Sequence, residues 1–450
     1  MVSADSEIHV SDLEVQPPAP AGNGNDSFAR RHFLRNAAML ALENAGFVIA
    51  ITFVGTNTVL PTFVTRLGGS AFLVGLVATC QSAGWLLPQL LGARLVAGKP
   101  RMLPYVLVPL YVGRPAFVIL AVLTVLLGTR LEWLLLLALY VSLLGFFGTD
   151  GLASVPWYEL VGKTIPPNRR GRMFGIAQIG GGLGGMAVGW LVGLVLESRS
   201  LPFPRNYALL FALSGGVFLL NLLPFFFVKE PVEERPAGRS EAKPSVRQFL
   251  SSLVEIMRRD RNFVRLISSR LLLGVATASF PFYILFMDKT MSVDAEKLGL
   301  LTSAQVLGGL VGGLAVGWVA DHVGTRTVIR WSAVVAAAVP GLGLAMVALG
   351  PALGVGMLYG GVLLFVLMGL AGATNMIGFM NYLLEVAPLE RRTTYVGLFN
   401  TLAGVLLVAP PLAGWVMQAA SFQVLFTAAV VAAALCLVMS LGLARPVRQS

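Results

Sequence analysis

Two stretches of this chain, Trp331–Leu384 and Thr393–Ala444, each run for more than fifty residues without an Asp, Glu, Lys or Arg. As one helix at about 1.5 Å per residue, either would be about 80 Å long. A bilayer core about 30 Å thick takes about 20 apolar residues, so each run has to fold back on itself once. Turns are expected at Gly350-Pro351 and at Ala419-Ala420-Ser421. Eight shorter runs precede them: Asn44–Thr65, Leu67–Ala93, Met102–Thr129 (interrupted by Arg114), Trp133–Thr149, Met173–Leu196, Asn206–Val228, Leu271–Met287 and Leu298–Ala320. The total is twelve helices, and an even number puts both termini on one side.

A chain that is 56% hydrophobic and 12% charged is no water-soluble domain. Its net charge of +11 raises the question of nucleic acid, and the placement of the charges answers it. With the N-terminus inside, 26 Lys and Arg fall in inner segments and six (Arg66, Arg130, Arg199, Arg205, Lys289, Lys297) in outer ones. That asymmetry predicts a multi-pass protein of the cell (inner) membrane with both termini cytoplasmic, its basic loops facing lipid rather than nucleic acid. The first residues are acidic, Pro-rich and polar, unlike a signal peptide, and read as a cytoplasmic tail. Cys80 and Cys436 sit inside apolar runs and match no metal or disulfide spacing, so no metal and no cofactor are expected. Gly162-Lys163-Thr164 lacks the upstream glycine of a phosphate-binding loop.

Between Lys229 and Arg261 the composition turns to Pro, Glu, Arg and Ser, which divides the spans six and six. The expected organisation is a tail over 1–29, a six-helix bundle over 30–228, a linker over 229–262, a second six-helix bundle over 263–444, and a short C-terminus over 445–450. At an offset near 225, Gly148-Thr149-Asp150 falls on Ala373-Thr374-Asn375, Gln81 falls near Gln305, and Pro166 with Arg169-Arg170 falls on Pro388 with Arg391-Arg392. The shared order points to a duplicated unit.

The segment Gly317-Trp-Val-Ala-Asp321-His-Val-Gly324-Thr-Arg326 follows the eighth span. It resembles the G-x-x-x-D-x-x-G-x-R loop of the major facilitator superfamily of secondary transporters, where the matching loop is cytoplasmic and joins the second and third helices of a half. The resemblance implies an all-α membrane protein of twelve helices in two pseudo-symmetric six-helix bundles, working by alternating access. The first half departs from the pattern: Gly92 to Arg101 keeps a glycine and basic residues but no aspartate. Gly180–Gly185 is similar to the glycine-rich fifth-helix signature of drug/proton antiporters in that superfamily, without its proline. Ala409-Pro410-Pro411-Leu-Ala-Gly414 is closer in form but lies in the other half.

Ionisable groups at membrane depth are costly, so each is a candidate site residue. Asp150 lies about 20 Å from the inner end of its helix near Lys163, close to the midplane. It is read as a proton carrier or counter-ion to a cationic substrate, or as a structural partner of Arg114. Arg114 is expected to pair with Asp150, to bind an anionic group, or to snorkel. Glu43 is placed in the first helix, facing either the cavity or the inner surface. Gln81, Trp85 and Gln89 share one helical face, suited to a cavity wall or to helix packing. Asn375 and Gln305 extend the candidate cavity into the second half, and Asn57 in the first helix is a further candidate. At the inner surface, Asp321, Gly317, Gly324 and Arg326, with Glu159, Arg169, Arg170, Glu385, Arg391 and Arg392, are candidates for a charge latch that breaks and reforms. The glycines at 309, 313 and 317, and at 308 and 312, strip one face of the eighth helix of bulk and predict close helix approach.

The functional expectation is a monomeric secondary transporter of a small molecule, driven by protons or another coupling ion, embedded among membrane lipids. Export of a hydrophobic or cationic compound leads; import or uniport of a sugar or organic anion is the alternative. A membrane-embedded enzyme would need a nucleophile and base. Its candidates are poor, since His9 lies in the tail, His32 before the first span and His322 beside Asp321. A non-transporting sensor lacks an appended domain to relay a signal.

Overall fold

The computed structural model describes residues 24–232, 255–388 and 391–445. Much of the tail, most of the linker and the last residues therefore lie outside the described part. Twelve segments are long and apolar enough to cross a membrane. The first six are α1 (Arg31–Thr52), α2 (Ala71–Val96), α3 (Leu103–Leu127), α4 (Glu132–Thr164), α5 (Pro167–Glu197) and α6 (Arg205–Phe227). The second six are α7 (Arg261–Met291), α8 (Ala295–His322), α9 (Thr325–Gly350), α10 (Gly356–Val386), α11 (Thr394–Ala419) and α12 (Phe422–Leu441). No strand occurs among the described residues. The reason is lipid: backbone polar groups without water must be satisfied within the segment, and a helix does so.

Prolines set the irregularities. Helix α2 is interrupted at Pro88, α3 at Arg114-Pro115, α7 around Pro281, and α11 by a 3₁₀ turn over Gly404–Val408 just before Pro410-Pro411. A proline removes a backbone donor and crowds the preceding turn. Two expected boundaries shift. The run Asn44–Thr65 is not one helix: α1 stops at Thr52, and a short helix over Val59–Arg66 follows a break that holds Asn57. The turn expected at Gly350-Pro351 comes later, because the helix continues to Leu353 and reverses at Gly354, whose φ of 48° suits glycine.

The distribution of side chains is that of a protein dissolved in lipid. Val112 and Leu126 are each more than 70% exposed, whereas Arg114 between them is 2% exposed. Cys80 and Cys436 are buried free thiols.

Packing divides the molecule by height. On the face away from the termini, one apolar core takes residues from all twelve helices, from Ala50 in α1 to Phe426 in α12. On the terminus face there are two larger separate cores, with a small third of Val316, Val319 and Val328 between α8 and α9. One holds Phe33, Leu40, Val106, Leu160, Met173 and Phe225 of the first half, the other Phe263, Ile329, Phe379, Leu398 and Cys436 of the second. The halves are joined at the far face and parted at the terminus face.

The contacts between halves agree. Thr79 Oγ1 of α2 donates to the Leu407 carbonyl of α11 at 2.7 Å, and Ser303 Oγ of α8 to the Met186 carbonyl of α5 at 3.0 Å. Gly75 sits against the Pro410 backbone, Gly414 against that of Ala71, and Gly193 against Gly299. Nearer the terminus face, Gly171, Gly175 and Gly317 have open space where a side chain would be. The two glycine rows of α8 serve different partners: Gly308 and Gly312 pack on α10 at Val366 and Leu370, while Gly313 faces Gln178 of α5.

Candidate functional site

A cavity of ≈ 670 Å³ opens between the parted ends. Its wall takes Glu43, Asn44 and Phe47 from α1, Gln81, Ser82 and Trp85 from α2, Val106, Leu110 and Arg114 from α3, and Phe147, Asp150, Ala153, Ser154, Trp157 and Tyr158 from α4. The second half contributes Gly372 of α10.

Local sequence explains why these side chains converge. Glycines let α2 and α4 cross at backbone distance: Gly84 lies on Phe147 and Gly148, Gly151 on the carbonyls of Gly84 and Trp85, and Gly92 on that of Leu152. That crossing sets Asp150 beside the Gln81–Trp85 face. On α3, Gly113 leaves room for Thr149, which brings Arg114 level with Asp150. On α6, Asn221 donates to the Glu43 carbonyl at 2.8 Å and fixes the height of α1.

The charged centre is a triad. Arg114 Nη2 lies 3.3 Å from Glu43 Oε1 and 3.6 Å from Asp150 Oδ1. Trp157 Nε1 donates to Glu43 Oε2 at 3.0 Å. The other nitrogens of Arg114, Nε and Nη1, are buried without a hydrogen-bond partner among the described residues. They are packed among rings, the guanidinium carbon lying 4.8 Å from the centre of Phe218, 5.7 Å from Phe47 and 5.9 Å from Phe146. Ring faces are electron-rich and partly replace the missing acceptors. In charge alone, two carboxylates meet one guanidinium, and no other charged group among the described residues lines the cavity.

Of the sequence candidates, Asp150, Arg114, Glu43, Gln81 and Trp85 come together here. Gln89 lies past the Pro88 interruption of α2, half-buried and off the cavity wall. Asn57 lies in the break after α1, also off the wall, because the chain leaves the helix before reaching it. Gln305 on α8 is half-buried, and its carbonyl faces Gly369 of α10. The Asn375 side chain lies outside the described residues. Sequence reading missed Trp157, Ser154 and Tyr158.

The latch candidates gather at the terminus face, and the contacts of Arg169, Arg170, Glu385 and Arg326 stay on one side of the cleft. Arg169 stacks on Phe33 at 4.7 Å, and Arg170 donates to the carbonyls of Ile165 and Gly162. Glu385 accepts from Thr325 Oγ1 at 2.6 Å, Arg326 donates to the Leu443 carbonyl at 3.1 Å, and Arg391 lies 3.6 Å from Glu255. Gly324, with φ of 109°, begins the turn into α9. Glu159 is half-buried, as is Arg392, whose Nε has no hydrogen-bond partner among the described residues. Asp321 is exposed and makes no ion pair among the described residues. A buried pair that sequence reading did not foresee, Lys163 with Glu230 at 3.8 Å, ties the start of the linker to α4.

A family model described as the Major Facilitator Superfamily matches residues 44–291 and 269–450. Among solved structures, the chain is similar to a bacterial homologue of the iron transporter ferroportin in an inward-facing state, with 16% identity over 91% of this chain and 98% of that one, at a TM-score of 0.64. It is similar to a D-xylose-proton symporter at 16% identity, covering 92% and 98%, with a TM-score of 0.63. It also resembles a POT family transporter in complex with 5-aminolevulinic acid at 13% identity, covering 91% and 97%, with a TM-score of 0.66. At such identities these likenesses speak to the fold. A comparison with curated protein sequences gives no match. Twelve crossings, a core split at one face, and a family match that spans nearly the whole chain agree: this membrane transporter belongs to the major facilitator superfamily.

Proposed function

We propose that the chain exports a small hydrophobic or cationic compound across the cell (inner) membrane in exchange for protons, with Asp150, Glu43 and Arg114 as its charged centre. The carrying observation is the surplus of one carboxylate over guanidinium in a buried site. An unpaired charge at membrane depth costs several kcal/mol. The surplus is therefore neutralised by a proton or by a cationic ligand, and competition between the two is what an antiporter needs. Trp85, Trp157, Tyr158 and Phe47 give the cavity aromatic walls suited to an apolar cation.

With the termini cytoplasmic, as the basic loops imply, the cavity opens to the cytoplasm and is poised to load from it. The protein acts as a monomer whose two halves, 30–228 and 263–444, joined by the linker, rock about the far-face contacts, and the inner latch residues meet only when the terminus face closes. Import of a sugar or organic anion has less support, because the spare donors of Arg114 are buried and its guanidinium is packed against phenyl rings.

The test is reconstitution in liposomes with an acidic interior and ethidium outside. Wild-type protein should accumulate ethidium as protons leave, and Asp150→Asn should lower the rate at least about tenfold, the effect of losing about 1.4 kcal/mol of interaction. Proton-driven accumulation by Asp150→Asn at the wild-type rate would end this assignment.

A further inference from the structure

The triad also fixes how much charge the cavity holds. Among the described residues its titratable lining groups are Glu43 of α1, Arg114 of α3, and Asp150 and Tyr158 of α4, while α2 and α10 bring Gln81, Ser82, Trp85 and Gly372. The two carboxylates are not equivalent. Glu43 uses both oxygens, one on Arg114 and one on the Trp157 indole. Asp150 has a single contact, 3.6 Å from the same Arg114 nitrogen, and no hydrogen bond among the described residues. Arg114 is held by the rings around it and by Glu43, so it is not free to follow a ligand.

On the basis of the antiport reading above, we propose that the cavity takes one monovalent organic cation at a time on Asp150, exchanged for a single proton on that same carboxylate, while Glu43, Arg114 and Trp157 stay as a fixed neutral pair and clamp. The loaded site is neutral in both forms: Asp150 carries either a proton or the cation. The re-entry step then moves the proton form and the outward step the cation form, so no net charge crosses in a cycle. A dication would leave one positive charge uncompensated in a site of low dielectric, where charge is expensive.

The experiment uses wild-type proteoliposomes with ethidium as monocation and methyl viologen as dication, driven separately by a pH gradient and by a potassium diffusion potential. A cycle that moves one net charge shifts its steady-state ratio about 50-fold for about 100 mV. Ethidium accumulation should follow the pH gradient, change less than about twofold under that potential, and release one proton per ethidium as read by an entrapped pH dye. Methyl viologen should not be accumulated by the pH gradient. Glu43→Gln should lose ethidium exchange although Asp150 is intact, because Arg114 then neutralises Asp150. Two or more protons per ethidium, a 50-fold response to potential, or a folded Glu43→Gln protein with wild-type exchange overturns the proposal and leaves antiport standing. No ethidium movement under either gradient overturns both. Should Glu43→Gln fail to fold, the proton count and the potential response decide alone.

Discussion

Arg114 shows how one residue can be both structural and functional. It is 2% exposed, at membrane depth, and among the described residues the sole cation facing two carboxylates in the cavity wall. Arg114→Leu should lower stability by about 3–5 kcal/mol, the cost of stranding buried charge. Thermal unfolding in detergent would report it, and adding Glu43→Gln should restore at least part of the loss. An Arg114→Leu protein that melts with the wild type would mean the carboxylates are solvated and the triad is no triad. Asp150, Arg114 and Glu43 were legible because a charge inside an apolar run stands out. Trp157 was not, since a tryptophan near a helix end usually marks the membrane interface. The signal was present: Asp150, Ser154 and Trp157 lie at i, i+4 and i+7 on one helical face. Gln89 was displaced by the interruption at Pro88, and Asn57 by the break between Thr52 and Val59.

Among helices, glycines do two separable jobs. Gly308 and Gly369 bring α8 and α10 together within one half, where an added Cβ would strike the carbonyls of Val366 and Gln305. Gly75 and Gly414 bring α2 and α11 together across the halves, against the backbones of Pro410 and Ala71. A methyl forced into a packed seam costs about 1–3 kcal/mol. Gly308→Ala should therefore lower the melting temperature. Gly75→Ala and Gly414→Ala have an escape, which is to part the halves at the far face. They should slow labelling of a thiol at Ser82→Cys from the terminus side severalfold, in a background where Cys80 and Cys436 are replaced by Ser, with little change in melting. Unchanged labelling together with a melting loss like that of Gly308→Ala would deny the far-face gate.

At the scale of the whole molecule, the structure has the terminus face open, the state in which the proposed latch would be unmade. Asp321 has no ionic partner among the described residues, which is the condition the proposed latch requires while the terminus face stands open. Exposed ion pairs are worth about 0–1 kcal/mol each, so the latch should move the balance between states by up to about fivefold. Asp321→Asn should speed labelling of Ser82→Cys from the terminus side, opposite in sign to Gly75→Ala, and leave the melting temperature of this state unchanged. Slower labelling would place Asp321 outside the latch.

What the sequence settled by itself is what lipid enforces without help from packing. Charge-free runs longer than a bilayer fix the number of crossings, and the absence of water in the membrane fixes their helical form. Buried charges announce themselves for the same reason. The tertiary structure alone decided which face of each helix looks inward, because lipid and protein interior are both apolar and leave the helices without a polar stripe to read. It therefore also decided that two carboxylates share one arginine, that Trp157 holds one of them, and that the halves meet at the far face while the terminus face stands open.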